Sequence, residues 1–444
     1  MKENHAIVIG GSIAGMLAAR VLADSFSSVT ILETDKLPDK PDRRNGVTQS
    51  LQPHILFAKG FRILDTLFPG IGKDLADVGA LPIDWPREFH LLMKNGEWGT
   101  TVDSPTDITS VTCSRPLLEW TIRRRLAKFS QIKFVEESRV TGLLANPCKT
   151  QICGVTVLQS VNGAKQEQRL MAKLVVDASG RHSQTPSWLE SLGFNPPTET
   201  VINPFLGYAT RRYKQPENFA DDWKLILISH SPPNATRLGY LAKIENGEWI
   251  ATLGGYGKDF PPADEPGFLD FARSLPSDKF YQAIAHAEPT SPIHGYRDTA
   301  NRLRHYEKIK MPKGFVCLGD AVCALCPVHG QGMTVSALSA LVLQKWLQNP
   351  KSNFQKSLAQ SNSQHWNSAT NKDLLFPTTV TTMGYGKQTK LPKVLKWYSD
   401  SLVKLAHSDP DILCLFVEVS QLLKSPFALY HPKIMWRVLS QGLV

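Results

Sequence analysis

The stretch HAIVIGGSIAG, residues 5–15, constrains the possible folds of this chain more than any other segment. Its first half is a short apolar run, as expected of a strand buried on both faces. SIAGMLAARVLAD then spaces its apolar residues as a helix, and SSVTILETD reads as a second strand. The result is a β-α-β unit with a glycine-rich first turn. In a dinucleotide-binding turn the first glycine allows the tight bend. The second lets backbone approach a pyrophosphate, and the third lets helix and strand pack closely. Gly10 and Gly15 hold the first and third places, and Ser12 the middle one. Serine is small and keeps its N–H, so the helix N-terminus can still receive a phosphate. Gly11 and Ala14 complete the turn, and Glu33 ends the next strand. A carboxylate there accepts hydrogen bonds from an adenosine ribose and repels a 2′-phosphate.

Composition narrows the class. The chain has 444 residues, enough for several domains or one large composite one. Its 42% hydrophobic and 20% charged residues are ordinary for a globular protein. The formal net charge of +10 is scattered, with only short runs such as Arg123-Arg124-Arg125. No nucleic-acid-binding motif accompanies it, so nucleic acid is not expected as a partner. Seven cysteines without framework spacing read as free thiols in a reducing, cytoplasmic compartment. The opening MKENHAIVIGG lacks a cleavage site and reads as a strand, not a signal peptide. No run approaches the ~18 apolar residues that span a membrane.

Helices are expected over 54–68, 114–129 and 330–348, with Pro116 near the start of the second. Residues 152–176 read as a hairpin turning at Asn162-Gly163. Strands dominate 205–256, and LGGYGK (253–258), with no helix after it, reads as a turn. The fold class that follows is α/β: a three-layer, Rossmann-like domain with an inserted antiparallel sheet and C-terminal helices. The dinucleotide domain is assigned to 1–80, 105–185 and 290–350, the substrate domain to 81–104 and 186–289, and a helical region to 351–444. Two further strands end in acidic residues. VVDASGRHS ends in Asp177, and FVCLGDA ends in Gly319-Asp320. A second Rossmann domain is missing, so the chain is not a simple dehydrogenase.

GDAVCALCPVHGQGM (319–333) poses a choice between a Cys323-x-x-Cys326 site with His329 and a glycine loop in which the cysteines only fill space. With GGSIAG and Glu33, this segment resembles the paired cofactor motifs of the flavoprotein monooxygenases of the p-hydroxybenzoate hydroxylase fold. RNGVTQSLQPHIL, SRPLLEWTIRRRL, LVVDASGRHS, YATRRY, NRLRHYEK and PVHGQGM resemble more closely the subgroup containing the polyether flavin epoxidases, such as the lasalocid epoxidase. The similarity runs over about residues 5 to 348.

The resemblance implies that the dinucleotide is FAD. It implies that Asp320 meets the ribityl chain and that Gly319 and Pro327 belong to the same motif. Gly330, Gln331, Gly332 and Met333 would turn helix N–H groups toward the flavin, where charge gathers on reduction. Arg115 would meet the pyrophosphate, and Arg44 and Gln49 would sit in a flavin-lining loop. His54 reads equally as a capping or a packing residue. Asp177 stands where the aromatic hydroxylases carry an Asp-Gly pair that serves FAD and NADPH. Here the sequence is Asp177-Ala178-Ser179-Gly180, so NADPH or NADH would act directly or through a separate flavin reductase.

The implied activity is monooxygenation. Reduced FAD and O2 give a C4a-hydroperoxide, whose distal oxygen passes to a lipophilic small molecule in specialised metabolism. Alkene epoxidation is the first reading. Hydroxylation of an aromatic or polyketide substrate, or a flavin-dependent reductase or desaturase, is the alternative. The Gly-Trp-x-Trp-x-Ile-Pro stretch of flavin halogenases is absent from the sequence. No acid–base pair is evident, and Tyr208, His230, Tyr240 and Tyr256 are the candidate pocket residues of the inserted sheet. No metal is expected, because a lone CxxC lacks the second pair that zinc needs. KVLKWYSDSLVKLA and PKIMWRVLSQGLV mix tryptophan with Lys or Arg, which suggests weak peripheral contact with a membrane surface.

Overall fold

The computed structural model describes residues 4–92, 96–161, 164–217, 219, 221–382 and 393–441. Strand β1 (His5–Ile9), helix α1 (Ile13–Leu22) and strand β2 (Ser28–Leu32) form the expected unit. β1 and β2 lie in a five-stranded parallel sheet ordered Phe315–Cys317, Leu174–Asp177, β1, β2, Ile132–Val135. Ile7, Val8, Val29, Ile31, Val175 and Val176 are buried in one cluster, as strands covered on both faces require. Strand order reverses beside β1. This is where α/β sheets open a crevice at their carboxyl ends.

The second body is a six-stranded sheet ordered His294–Tyr296, Gly207–Lys214, Glu248–Gly255, Arg237–Ile244, Leu225–Ile228, Phe89–Leu92. It is antiparallel except at its last pair. Phe89–Leu92 brings segment 81–104 to this sheet, while the edge strand His294–Tyr296 crosses the boundary assigned at 290. The hairpin differs from its sequence reading. Ile152–Val161 pairs with Ala164–Met171, whereas Leu174–Asp177 leaves it for the parallel sheet. The Asn162-Gly163 turn lies outside the described residues.

Gln52 is one of the links between the bodies. Gln52 donates from Nε2 to the His294 carbonyl at 3.2 Å and accepts from Thr210 Oγ1 at 2.6 Å. Helix Ala58–Leu67, whose N-cap Phe57 offers no side-chain cap, is capped by a distant residue. Ala58 N–H donates to Gln421 Oε1 at 3.0 Å, and Lys59 N–H to the Gln421 carbonyl at 3.3 Å. Gln421 thus ties the end of helix Pro410–Ser420 to the first domain, and helices Lys393–Ser408 and Pro432–Gln441 pack with that helix. No helix among the described residues is long and apolar enough to cross a membrane.

Candidate active site

The first turn is as tight as its glycines imply. Gly10 has φ +98°, and a Cβ on it would lie 2.7 Å from the Ala178 carbonyl oxygen. On Gly15 a Cβ would lie 1.8 Å from the Gly10 oxygen. No side chain longer than hydrogen fits either place. Gly11 N–H donates to Glu33 Oε2 at 2.8 Å, which fixes the carboxylate at the end of β2.

Around this turn lies a buried ion network. Arg44 meets Glu33 at 3.0 Å and Glu119 at 2.8 Å. Arg115 opens the helix Arg115–Leu126 behind its N-cap Ser114. It donates to Glu119 at 2.8 Å and to Ser12 Oγ at 2.8 Å. Ser12 Oγ in turn contacts Glu119. Burial opposes the charge of Glu119, but Arg115 and Arg44 outweigh it and hold the carboxyl at about 2. Arg44 also lies 3.6 Å from Asp35, so two cations face three carboxylates, and removing Arg44 or Arg115 would leave buried carboxylates unpaired. Glu119 was not foreseen in the sequence. Its only signal is its place four residues after Arg115, on the same face of the helix. His54, whose Nδ1 donates to the Gln52 carbonyl at 2.9 Å, is buried beside Arg115. Burial, then the arginine charge, lowers its pKa to about 3, so it is a neutral packing group. Gln49 lies half-buried on the short helix Thr48–Leu51.

Asp177 does not face the cleft. It is fully buried, and its carboxylate accepts from Ser179 N–H, Ser179 Oγ, Ser183 Oγ and Thr185 Oγ1. Its acceptors are spent on the turn that follows it, which corrects its expected cofactor role.

Asp320 is different. It follows Gly319 at the end of strand Phe315–Cys317 and accepts no hydrogen bond from the described residues. Burial raises its pKa, against the pull of Arg181 and Arg115. Beyond Pro327–His329, Gly330 takes a left-handed φ of +66° and turns the chain into the long helix Gly332–Gln348. No side chain caps that helix, and its first turn holds no acidic residue. Gln331 Oε1 is buried without a partner, Met333 is buried below it, and nothing lies within 4 Å of a Cβ placed on Gly332. Two acceptors without donors thus flank free helix N–H groups and open space. A polyhydroxylated chain carrying a flat, electron-accepting ring supplies the missing donors and the anionic edge. These residues fit FAD.

Cys323 and Cys326 are both buried and free. Burial pushes both thiols up, so they remain protonated. They pack as small apolar residues. One feature of the loop had no reading in the sequence. His329 Nε2 lies 3.0 Å from Asp373 Oδ1, and Cys326 Sγ completes a group within 4.8 Å.

A cavity of about 570 Å³ opens beside this loop, a size suited to a small-molecule ligand. Val328, His329 and Gln331 form one wall. Phe57, Trp85, Leu227 and His230 form a second, and Leu413, Phe416 and Val417 of the C-terminal helices close it. Of the four pocket candidates, only His230 lines this cavity. Tyr256 stacks on Phe376 at 4.1 Å and donates to Asp373 at 3.1 Å. Tyr208 packs in the same cluster as Tyr256, and Tyr240 packs beside Ile250 and Val417.

No protein-family model matches the sequence. Protein Rv3254 of Mycobacterium tuberculosis is 33% identical over 361 residues, covering 80% of this chain and 76% of that protein. Among solved structures, a flavoprotein/dehydrogenase from Cytophaga hutchinsonii aligns with a TM-score of 0.67 at 16% identity, over 99% of this chain and 100% of the other. The flavin-dependent brominase Bmp2, as a triple mutant, aligns at 0.64 and 14%, over 98% of each chain. PqsL, a probable FAD-dependent monooxygenase from Pseudomonas aeruginosa, aligns at 0.58 and 15%, over 93% of this chain and 99% of its own. At such identities the likeness shows the fold, which is that of FAD-dependent flavoproteins.

Proposed function

The chain belongs to the family of the mycobacterial protein Rv3254, and on that premise we propose that it is an FAD-dependent monooxygenase of a lipophilic small molecule. The observation that carries this reading is the pairing of a cleft that fits FAD with a mostly apolar cavity beside the Val328–Gln331 loop. Bound FAD supplies the redox and oxygen chemistry. The chain's own residues do the rest. Arg115 offers a cation at the first turn, Asp320 accepts hydroxyl donors, and the N-terminus of the long helix stabilises negative charge. Phe57, Trp85 and Phe416 line the cavity and would shield a bound substrate from water.

Epoxidation of an alkene suits the apolar walls, since it needs no strong base. Hydroxylation of a ring with an acidic hydroxyl is the second reading, and the His329–Asp373 pair favours it. Because Asp177 is turned inward, NADPH or NADH should reduce the flavin slowly unaided and faster through a separate flavin reductase. A lipophilic substrate also suits weak membrane contact. Trp397, Phe427 and Trp436 are exposed on the C-terminal layer, close in sequence to exposed Lys404, Lys424 and Lys433. Flotation with anionic liposomes at low salt checks that extension, and absence of binding removes it.

The activity is tested with isotopically labelled oxygen gas. One labelled atom in the product, with FAD bound to the purified protein, is the expected result. Product formed under strict anaerobiosis would instead mean hydride transfer, as in a reductase or desaturase.

A further inference from the structure

Among the polar groups of the cavity wall is a hydrogen-bonded pair that oxygen insertion into an alkene does not use. The side chain of His329 is 4% exposed and that of Asp373 is 0% exposed, and their Nε2···Oδ1 distance is 3.0 Å. Asp373 ends the helix Phe354–Asp373 and is surrounded by donors. Tyr256 donates its hydroxyl to Oδ1 at 3.1 Å, and Asn301 donates Nδ2 to Oδ2 at 2.6 Å. Asn301 Oδ1 accepts from Cys326 N–H at 2.7 Å, so the same asparagine anchors the loop that carries His329. Burial works against the charge of Asp373. Attraction to His329 when it is protonated, and the hydrogen bonds from His329, Asn301 and Tyr256, outweigh it, and the carboxyl lies below the usual carboxylate range.

An ionised acceptor fixes the histidine tautomer. Nε2 must carry the proton and donate it to Asp373, which leaves Nδ1 with a lone pair. Nδ1 has no hydrogen-bond partner among the described residues, and His329 lines the cavity three residues before the long helix begins at Gly332. A cation bound by Cys326, His329 and Asp373 would need a thiolate and free carboxylate oxygens. Burial keeps that thiol protonated, and three donors occupy the carboxylate.

We propose that His329, oriented by Asp373, is an acid–base site that binds an acidic hydroxyl of the substrate, a phenol or enol, and takes its proton. The proposal rests on the monooxygenase reading and narrows its substrate class. The step moves one proton and no electrons. The substrate O–H bond breaks, an N–H bond forms at His329 Nδ1, and Asp373 offsets the imidazolium charge. The oxyanion left behind is more electron-rich at the ortho and para carbons of a phenolate, or the α-carbon of an enolate, where an electrophilic oxygen would add. The titratable groups around the pair are Cys326 on its own loop and Tyr208, His230 and Tyr256 from the sheet. Lys372 and His365 lie on the helix of Asp373, and Arg181 lies beyond Cys326.

The test measures ionisation of a bound probe in the FAD-loaded enzyme. 4-Nitrophenol reports its anion by absorbance, and its methyl ether 4-nitroanisole has the same shape and no proton. The bound phenol is expected to show a pKa lowered by about one unit or more, a tenfold enrichment of anion. His329→Gln should abolish that shift while 4-nitroanisole binds within about twofold of wild type. Asp373→Asn should abolish it with His329 intact, and FAD retention reports that each variant is folded. A phenol that binds with its pKa unshifted, a shift that survives His329→Gln, a phenol that fails to bind, or stoichiometric zinc lost with His329 would each overturn the assignment. A protein that binds no FAD would sink the monooxygenase reading itself. An unshifted phenol on FAD-loaded enzyme removes only the role of His329.

Discussion

The cofactor cleft and the substrate cavity are built by opposite means. In the cleft, backbone does most of the work. Gly10, Gly15, Gly330 and the N-termini of two helices set distances that no side chain could set. In the cavity, side chains from the loop, the sheet and the C-terminal helices meet across hundreds of residues. Backbone devices carry a local signature, because a turn must be made by consecutive residues. A cavity wall carries none, because its members share only a position in space. The first region therefore specifies a cofactor common to a fold, and the second specifies chemistry particular to this chain.

The comparison breaks most sharply at Asp320. Asp320→Ala removes the acceptor that no protein group satisfies, and FAD affinity should fall by roughly 10- to 100-fold, read by fluorescence titration. Unchanged affinity would mean that the cleft is not held as described. Val417→Trp probes the other region. It fills the cavity from the C-terminal side and should weaken a lipophilic ligand by about tenfold while FAD binding stays within about twofold. Equal loss of both would show that the two regions are one.

A pH experiment separates them more finely. His54 has its pKa lowered to about 3 by burial and then by Arg115. Unfolding frees it to bind a proton, with a pKa near ~6.5 in the unfolded chain. Stability should therefore be full above pH ~6.5 and fall as pH drops toward 3. His54→Gln should flatten that part of the denaturation-midpoint profile, and an unaltered slope would refute the assignment. The smallest effect is expected from Cys323→Ala with Cys326→Ala. Activity should stay within a few-fold, since neither thiol touches the proposed chemistry.

What the sequence made legible follows the same division. The turn at Gly10–Gly15 and Glu33 could be named from spacing. Arg44, Arg115 and the Asp320-to-Met333 segment could be named only from the resemblance. Glu119, the shared partner of the two arginines, could not be named, because its contact with Ser12 spans 107 positions. Asp177 looked like a cofactor ligand at a strand end, yet Ser179, Ser183 and Thr185 follow it closely enough to take its oxygens. Alternation along 205–256 marked a sheet but not which face bounded a cavity, so three of four pocket candidates went to tyrosines in packed clusters. His329 stood in plain view within the motif. Its partner Asp373 lay 44 positions away at the end of a helix without a motif.

The cap that Gln421 places on helix Ala58–Leu67 has a consequence for how the molecule is made. That hydrogen bond joins positions 363 apart. While the chain is being synthesised, the first turn of this helix waits for a residue that emerges late. This helix start therefore gains its cap only after residue 421 has left the ribosome. Contacts of such separation slow folding, because the intervening loop must be ordered before they form. A nascent chain stalled before that point should expose the helix start to protease, and one stalled well after it should protect it.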